Sequence, residues 1–167
     1  MDVKNKIVIV TGAGSGIGKA TSIHLANQGA TVVVSDMNIE SAEKVVSEIT
    51  ANGGVASANK CNVVNFEEVE QLIHSTVQKY DRLDVIVNNA GITKDNLTIR
   101  MSLEEWSKVI NINLTSTFLM CKYSIKKMLK NKSGKIINIT SVVGHTGNVG
   151  QANYTASKAG IVAMSKS

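Results

Sequence analysis

Tyr154 and Lys158 lie four residues apart in the segment S-V-V-G-H-T-G-N-V-G-Q-A-N-Y-T-A-S-K, which runs from Ser141 to Lys158. On a helix that spacing puts both side chains on one face. A phenol has an ordinary pKa of about 10, too high for ready proton exchange at neutral pH. An ammonium one turn away favours the phenolate, and each unit of lowering takes about 1.4 kcal/mol of differential stabilisation. Ser141 closes an apolar strand just upstream and can point at the same spot, where its hydroxyl would hold a carbonyl oxygen. Beside a nucleotide-binding fold, these three groups suggest proton transfer coupled to hydride transfer.

Such groups need a cradle for a cofactor, and the N-terminal region offers one. Thr11-Gly-Ala-Gly-Ser-Gly-Ile-Gly18 joins an apolar run to a helical pattern. Its glycines Gly12, Gly16 and Gly18 allow a tight turn, and with Ser15 and Ile17 they bring backbone N–H groups and a helix N-terminus up to a pyrophosphate. The spacing differs from the commoner G-x-G-x-x-G. Asp36 ends the second apolar run, where a carboxylate can accept from adenosine ribose hydroxyls and repel a 2′-phosphate. With Ser15 in place of a basic residue in the turn, this favours NAD(H). Asn88-Asn-Ala-Gly91 follows the fourth strand, and Ala90 and Gly91 leave room for a ring or ribose.

The elements that must position these residues alternate along the chain. Short apolar strands are expected at 6–11, 31–36, 55–61, 83–88 and 134–141. Helices are expected at 16–28, closed by Gly29, and after Asp36, with Ala42, Val45, Val46 and Ile49 inward and an exposed Glu40–Lys44 pair. A third is capped by Asn65 with Val69, Leu72, Ile73 and Thr76 inward. A long, bent helix is expected from the capping box Ser102–Glu105 to about Lys130, and a last one from Gln151. Strand and helix in strict alternation give an α/β, doubly wound parallel sheet of the Rossmann type.

At 167 residues the chain fits one domain, 1–167, with 43% hydrophobic and 19% charged residues. The net charge of +5 is spread along helices rather than gathered in a run, which speaks against nucleic acid as partner. Cys61 and Cys121 form no paired motif and read as buried thiols of a reducing compartment. No apolar stretch is long enough for a membrane span, so a cytoplasmic location is expected. His24 and His74 read as surface or packing residues, Trp106 as core or interface packing, and His145 as a candidate for the substrate mouth. No metal-ligand spacing occurs, and no metal is expected.

T-G-A-G-S-G-I-G, N-N-A-G, Asn113 in N-I-N-L, Ser141 and Y-T-A-S-K, in this order, resemble the short-chain dehydrogenase/reductase family. The segments at 91–101, 104–114 and 141–154 are similar to 3-oxoacyl-[acyl-carrier-protein] reductases of fatty acid synthesis. The resemblance implies an oxidoreductase that moves a hydride from a nicotinamide cofactor to the 3-oxo group of a carrier-bound acyl chain. It implies Tyr154 as proton donor, Lys158 as its partner and a holder of the nicotinamide ribose, Ser141 on the substrate oxygen, and Asn113 holding a relay water. It also implies NADP(H), against the local preference for NAD(H), and places Asn62-Val63 where the family has Asp-Val at the adenine. Alternatives are an NAD-dependent dehydrogenase of a small alcohol, diol or steroid, and a silent dinucleotide-binding protein. A carrier protein would need basic surface, for which Lys126, Lys127, Lys130 and Lys132 are candidates. Family members continue past the tyrosine helix with further strands, a substrate cover and a tetramer interface. These are absent here, so the 167-residue chain is expected to bind dinucleotide weakly and turn over poorly.

Overall fold

The computed structural model describes residues 2–167. Among them, five parallel strands form one sheet in the order β3-β2-β1-β4-β5. They are β1 Ile7–Thr11, β2 Thr31–Asp36, β3 Val55–Lys60, β4 Val85–Asn88 and β5 Lys135–Asn138. Helices α1 Gly16–Asn27, α2 Ile39–Ala51 and α3 Phe66–Tyr80 connect the first four. α4 Leu103–Ile110 and α5 Ser116–Lys130 join through a π-helical turn, Asn111–Thr115; a short α6 Val143–Thr146 precedes α7 Ala152–Lys166.

The strands alternate their faces, and each face makes its own core. Val8, Val10, Val32, Val34, Val85 and Val87 meet Ala26 of α1 and Ala42, Val45 and Ile49 of α2. Ile9, Val33 and Ile86 meet Val69, Leu72 and Ile73 of α3 and Met120 and Met128 of α5. Helices therefore cover both faces, as the doubly wound reading requires. The termini follow local chemistry. Asn65 Oδ1 accepts from the N–H groups of Glu67 and Glu68 to start α3, and the Ser102–Glu105 capping box forms in full. Gly29, at φ +85°, ends α1 in the left-handed conformation that costs glycine nothing.

The differences from expectation have physical causes. β4 starts at Val85 rather than Leu83, because Asp84 turns its carboxylate onto Ile7 N–H and Arg82. β5 ends at Asn138 rather than Ser141: the Ile139 carbonyl leaves the ladder to accept from Lys158 Nζ at 2.7 Å. The bend in the long helix is the π turn around Asn113. Glu40 and Lys44 do not pair; the inter-helix ion pair is Lys19–Glu48, at 2.8 Å between α1 and α2. Both cysteines are free, and burial pushes the Cys61 thiol up to about 12, with Glu68 adding to it. Trp106 lies outside the core, 38% exposed, and His24 and His74 are on the surface. Among the described residues no helix is long and apolar enough to cross a membrane.

Candidate active site

The C-terminal ends of β1, β2, β4 and β5 open on a cleft of about 580 Å³. Gly12, Ser15, Gly16, Ile17 and Asp36 line one part, Ala90 and Gly91 the middle, and Ser141, Tyr154 and Lys158 the other end. Crevices at this end of a parallel sheet are where ligands of such folds bind.

The cradle is built by close approach. A Cβ on Gly12, which sits at φ +60°, would lie 2.8 Å from Ala90 Cα, and one on Gly18 would run into the Gly12 carbonyl oxygen. Asn89 donates through Nδ2 to the carbonyls of Thr11 and Gly12, both at 3.0 Å, and Thr11 Oγ1 accepts from the N–H groups of Asn89 and Ala90. The glycine turn and the N-N-A-G turn are thus one rigid unit. Ser15, at the N-cap of α1, makes no side-chain cap bond and α1 has no acid in its first turn. The first N–H groups of the helix are left without an intrahelical acceptor beside the cleft. That open helix end, with glycine where a side chain would block approach, fits a dinucleotide pyrophosphate. Ile17, 66% exposed at this edge, offers an apolar flank.

At the other end, α7 presents Tyr154 and Lys158 together. Lys158 is 4% exposed, and its Nζ lies 5.6 Å from the centre of the Tyr154 ring. Burial holds its ammonium below the usual lysine range, and no carboxylate offsets that. The Ile139 carbonyl takes one of its three N–H groups, leaving two. Ser141 Oγ accepts from Val143 N–H at 3.4 Å, which leaves its own proton to donate.

Not every expected residue faces the cleft. Asn113 is fully buried: Oδ1 accepts from Ile92 N–H at 2.9 Å, while Nδ2 donates to the Ile92 carbonyl and to Ser157 Oγ. Its side chain is mostly spent on holding the loop after β4 and α7. Only the second lone pair of Oδ1 remains for a water, in the space beside Gly91 that Lys158 Nζ also borders. Asn88 lies beneath the cleft, where Nδ2 donates to Asn138 Oδ1 at 2.8 Å and approaches Cys121 Sγ. Its side chain ties β4 to β5 and points into the helix layer rather than into the cleft. Asn62 and Val63 are off the cleft wall: Asn62 Oδ1 accepts from Val64 N–H, and Glu68 Oε2 accepts from Asn62 N–H. His145 is exposed in α6 and does not line the cleft.

Lys130 and Lys132 lie at the C-terminal end of α5, just before β5 begins at the far end of the sheet. None of the four candidate lysines lines the cleft. Lys126 and Lys127 border a groove with Glu67, Glu70 and His74. Sequence reasoning missed two residues. Gly14 N–H donates to Asp36 Oδ2 at 2.9 Å, and Asn153, fully buried, holds Lys94 and Glu105 carbonyls through Nδ2. The glycine-rich string contained the first signal; nothing in the chain marked the second.

Residues 6–167 match the family model described as short chain dehydrogenase. The chain is 55% identical to a 3-oxoacyl-[acyl-carrier-protein] reductase of Synechocystis over 162 residues, covering 96% of this chain and 66% of that one. It is 43% identical to the 3-oxoacyl-[acyl-carrier-protein] reductase FabG of Thermotoga maritima, covering 99% and 68%. A solved short-chain dehydrogenase/reductase from Burkholderia xenovorans superposes with a TM-score of 0.93 at 31% identity, covering 98% of this chain and 67% of that one. The chain spans about two thirds of the length of these relatives. With the glycine turn, the parallel sheet and the Tyr154–Lys158 helix in the family's order, the chain belongs to the short-chain dehydrogenase family.

Proposed function

We propose that this protein is a nicotinamide-dependent reductase of 3-oxoacyl groups carried on acyl carrier protein, acting in fatty acid synthesis. The observation that carries this reading is the sharing of one cleft by the dinucleotide cradle and by Ser141, Tyr154 and Lys158. The names of the relatives support the substrate class. Residues 1–167 are read as a single dinucleotide-binding domain, located in the cytoplasm, in line with its two unpaired thiols.

A bound nicotinamide supplies the hydride. Ser141 donates to the substrate carbonyl oxygen and holds it beside Tyr154. Tyr154 gives its proton to that oxygen as charge develops there. Lys158 lowers the cost of the resulting phenolate, and its desolvated position strengthens that interaction. Its two free N–H groups serve the nicotinamide ribose. The second lone pair of Asn113 Oδ1 can hold a water through which Lys158 is resupplied with protons. Asp36 meets the adenosine ribose, and its charge disfavours a 2′-phosphate, so NAD(H) is the preferred cofactor over NADP(H). Asn62 would meet the adenine only by a turn of its side chain, whose Nδ2 has no partner among the described residues; Val63 is buried in the core and could contribute through its backbone alone. Lys94 and Arg100, exposed in the loop that brings Thr93 to the cleft, are the basic groups available for an acidic carrier at this mouth. Self-association, as in a tetramer, belongs to the same reading.

The test is reduction of acetoacetyl-carrier protein, acetoacetyl-CoA and a free diketone, each with NADH and with NADPH. The reading expects the carrier-bound substrate with NADH to give the highest kcat/KM. Charge reversal at Lys94 and Arg100 should lower kcat/KM for the carrier-bound substrate alone. A preference for the free diketone would instead favour a dehydrogenase of small alcohols.

A further inference from the structure

Asp36 does something in this structure besides face the cleft. Two successive amides of the glycine turn are tied to two successive residues at the end of β2. Ala13 N–H donates to the Ser35 carbonyl at 3.1 Å, and Gly14 N–H donates to Asp36 Oδ2 at 2.9 Å. Asp36 Oδ1 meanwhile accepts from Asn38 N–H at 2.9 Å, the residue that caps α2. Gly14 is wedged into this arrangement: a Cβ there would lie 3.0 Å from Asp36 Oδ2 and 2.8 Å from Ser41 Cβ in the first turn of α2. One carboxylate therefore joins the turn before α1 to the turn before α2.

We propose that Asp36 is a positioning residue that latches the glycine-rich turn in its ligand-ready shape before any ligand arrives. A carboxylate offers about four acceptor positions, of which the two amides use two, so the remainder can still meet ribose hydroxyls. The latch makes cofactor choice and cradle shape inseparable. Removing the charge to admit a 2′-phosphate also frees Gly14. An asparagine keeps one acceptor oxygen and turns an NH₂ group toward a donor, so it loses one of the two ties. The part of this inference that concerns ligands rests on the dinucleotide reading; the part that concerns the turn does not.

The first measurement is amide hydrogen exchange by NMR on the ligand-free chain, corrected for intrinsic rates. Gly14 N–H should exchange more slowly than Ile17 N–H, which has no intrahelical acceptor. Asp36→Ala should speed Gly14 by about tenfold or more, as loss of a charge-assisted bond requires, while Ala13 stays protected through Ser35. The second is calorimetric titration with 2′,3′-dideoxy-ADP, which lacks both ribose hydroxyls. If Asp36 only meets the ribose, Asp36→Ala leaves this affinity unchanged or raises it, and the proposal fails. The latch predicts affinity weakened by about tenfold. Equal exchange at Gly14 and Ile17 in the unsubstituted chain would also overturn the proposal, even where the variant does not fold. Absence of NADH binding by the unsubstituted chain would count against the dinucleotide reading, and the exchange result would still decide the latch.

Discussion

β1 and β5 feed the same cleft from the same sheet, yet they are held in different ways. β1 is buried along all five residues and has a parallel partner on each side. β5 has one partner among the described strands, β4, and its Ile137 is 43% exposed. The cradle after β1 is fixed by backbone packing: glycine against Ala90, Asn89 on two carbonyls, Asp36 on Gly14. The chemical end after β5 is fixed by reach from α7. Lys158 holds the Ile139 carbonyl, Ser165 accepts from Asn138 Nδ2, and Gly144 lets α6 lie against the α7 backbone. The cradle is thus a property of the fold itself. The proton-transfer end is a property of a few clamps between a short strand and one helix. Damage to the first should cost folding and binding together; damage to the second that leaves Lys158 in place should cost turnover far more than binding.

The largest effect should come from the cradle. Gly18→Ala places a methyl within the packing radius of the Gly12 carbonyl and Asn89, for a cost of roughly 3 kcal/mol and loss of dinucleotide binding. Thermal unfolding and NADH fluorescence titration measure both, and a stable variant that binds normally would erase the distinction between the two ends.

Next comes the far end of the central strands, where Asp84 ties β1 to β4. Burial pushes its carboxyl up, but Arg82, the Ile7 N–H and Lys6 together hold it below the usual range. A depressed carboxylate contributes stability above its unfolded pKa of about 4, and that contribution is lost as pH falls through the folded value. Asp84→Asn should cost about 1–3 kcal/mol at neutral pH. Melting temperature followed from pH 7 to 3 should fall less steeply in the variant than in the unsubstituted chain.

The smallest effect on stability should be at the chemical end. A Cβ on Gly144 would lie 3.0 Å from Ala159 N and the Lys158 carbonyl carbon, so Gly144→Ala must push α6 off α7 by a few tenths of an ångström. Stability should change by about 1 kcal/mol. NADH affinity should hold while kcat falls about tenfold, since a small misplacement of Ser141 against Tyr154 is costly. A fall in NADH affinity instead would mean that the two ends are not independent.

What was legible in the chain follows the same division. The central strands, the inward faces of α2 and α3, the Asn65 cap and the Ser102–Glu105 box could be read because period and local hydrogen bonding decide them. Tyr154 and Lys158 could be placed on one face because helical spacing is fixed. Long-range ties were not legible. Nothing local told that Asn113 would spend its amide on Ile92 and Ser157, that Asn88 would turn toward Asn138, or that Asp36 would hold Gly14. The placement of Lys130 and Lys132 depended on strand polarity, and that of Lys126 and Lys127 on packing against α3, rather than on charge. The short α6 lay in a loop whose shape is set by contact with α7.

The claim on which the account turns is that the Tyr154 phenol delivers the proton while the cradle holds the cofactor without its help. It is tested most directly by single-turnover oxidation of bound NADH with acetoacetyl-CoA, comparing Tyr154→Phe with the unsubstituted chain at saturating NADH. The account predicts a rate lowered on the order of 10²–10⁴-fold with NADH affinity changed by less than about threefold. Turnover by Tyr154→Phe at the rate of the unsubstituted chain would contradict it.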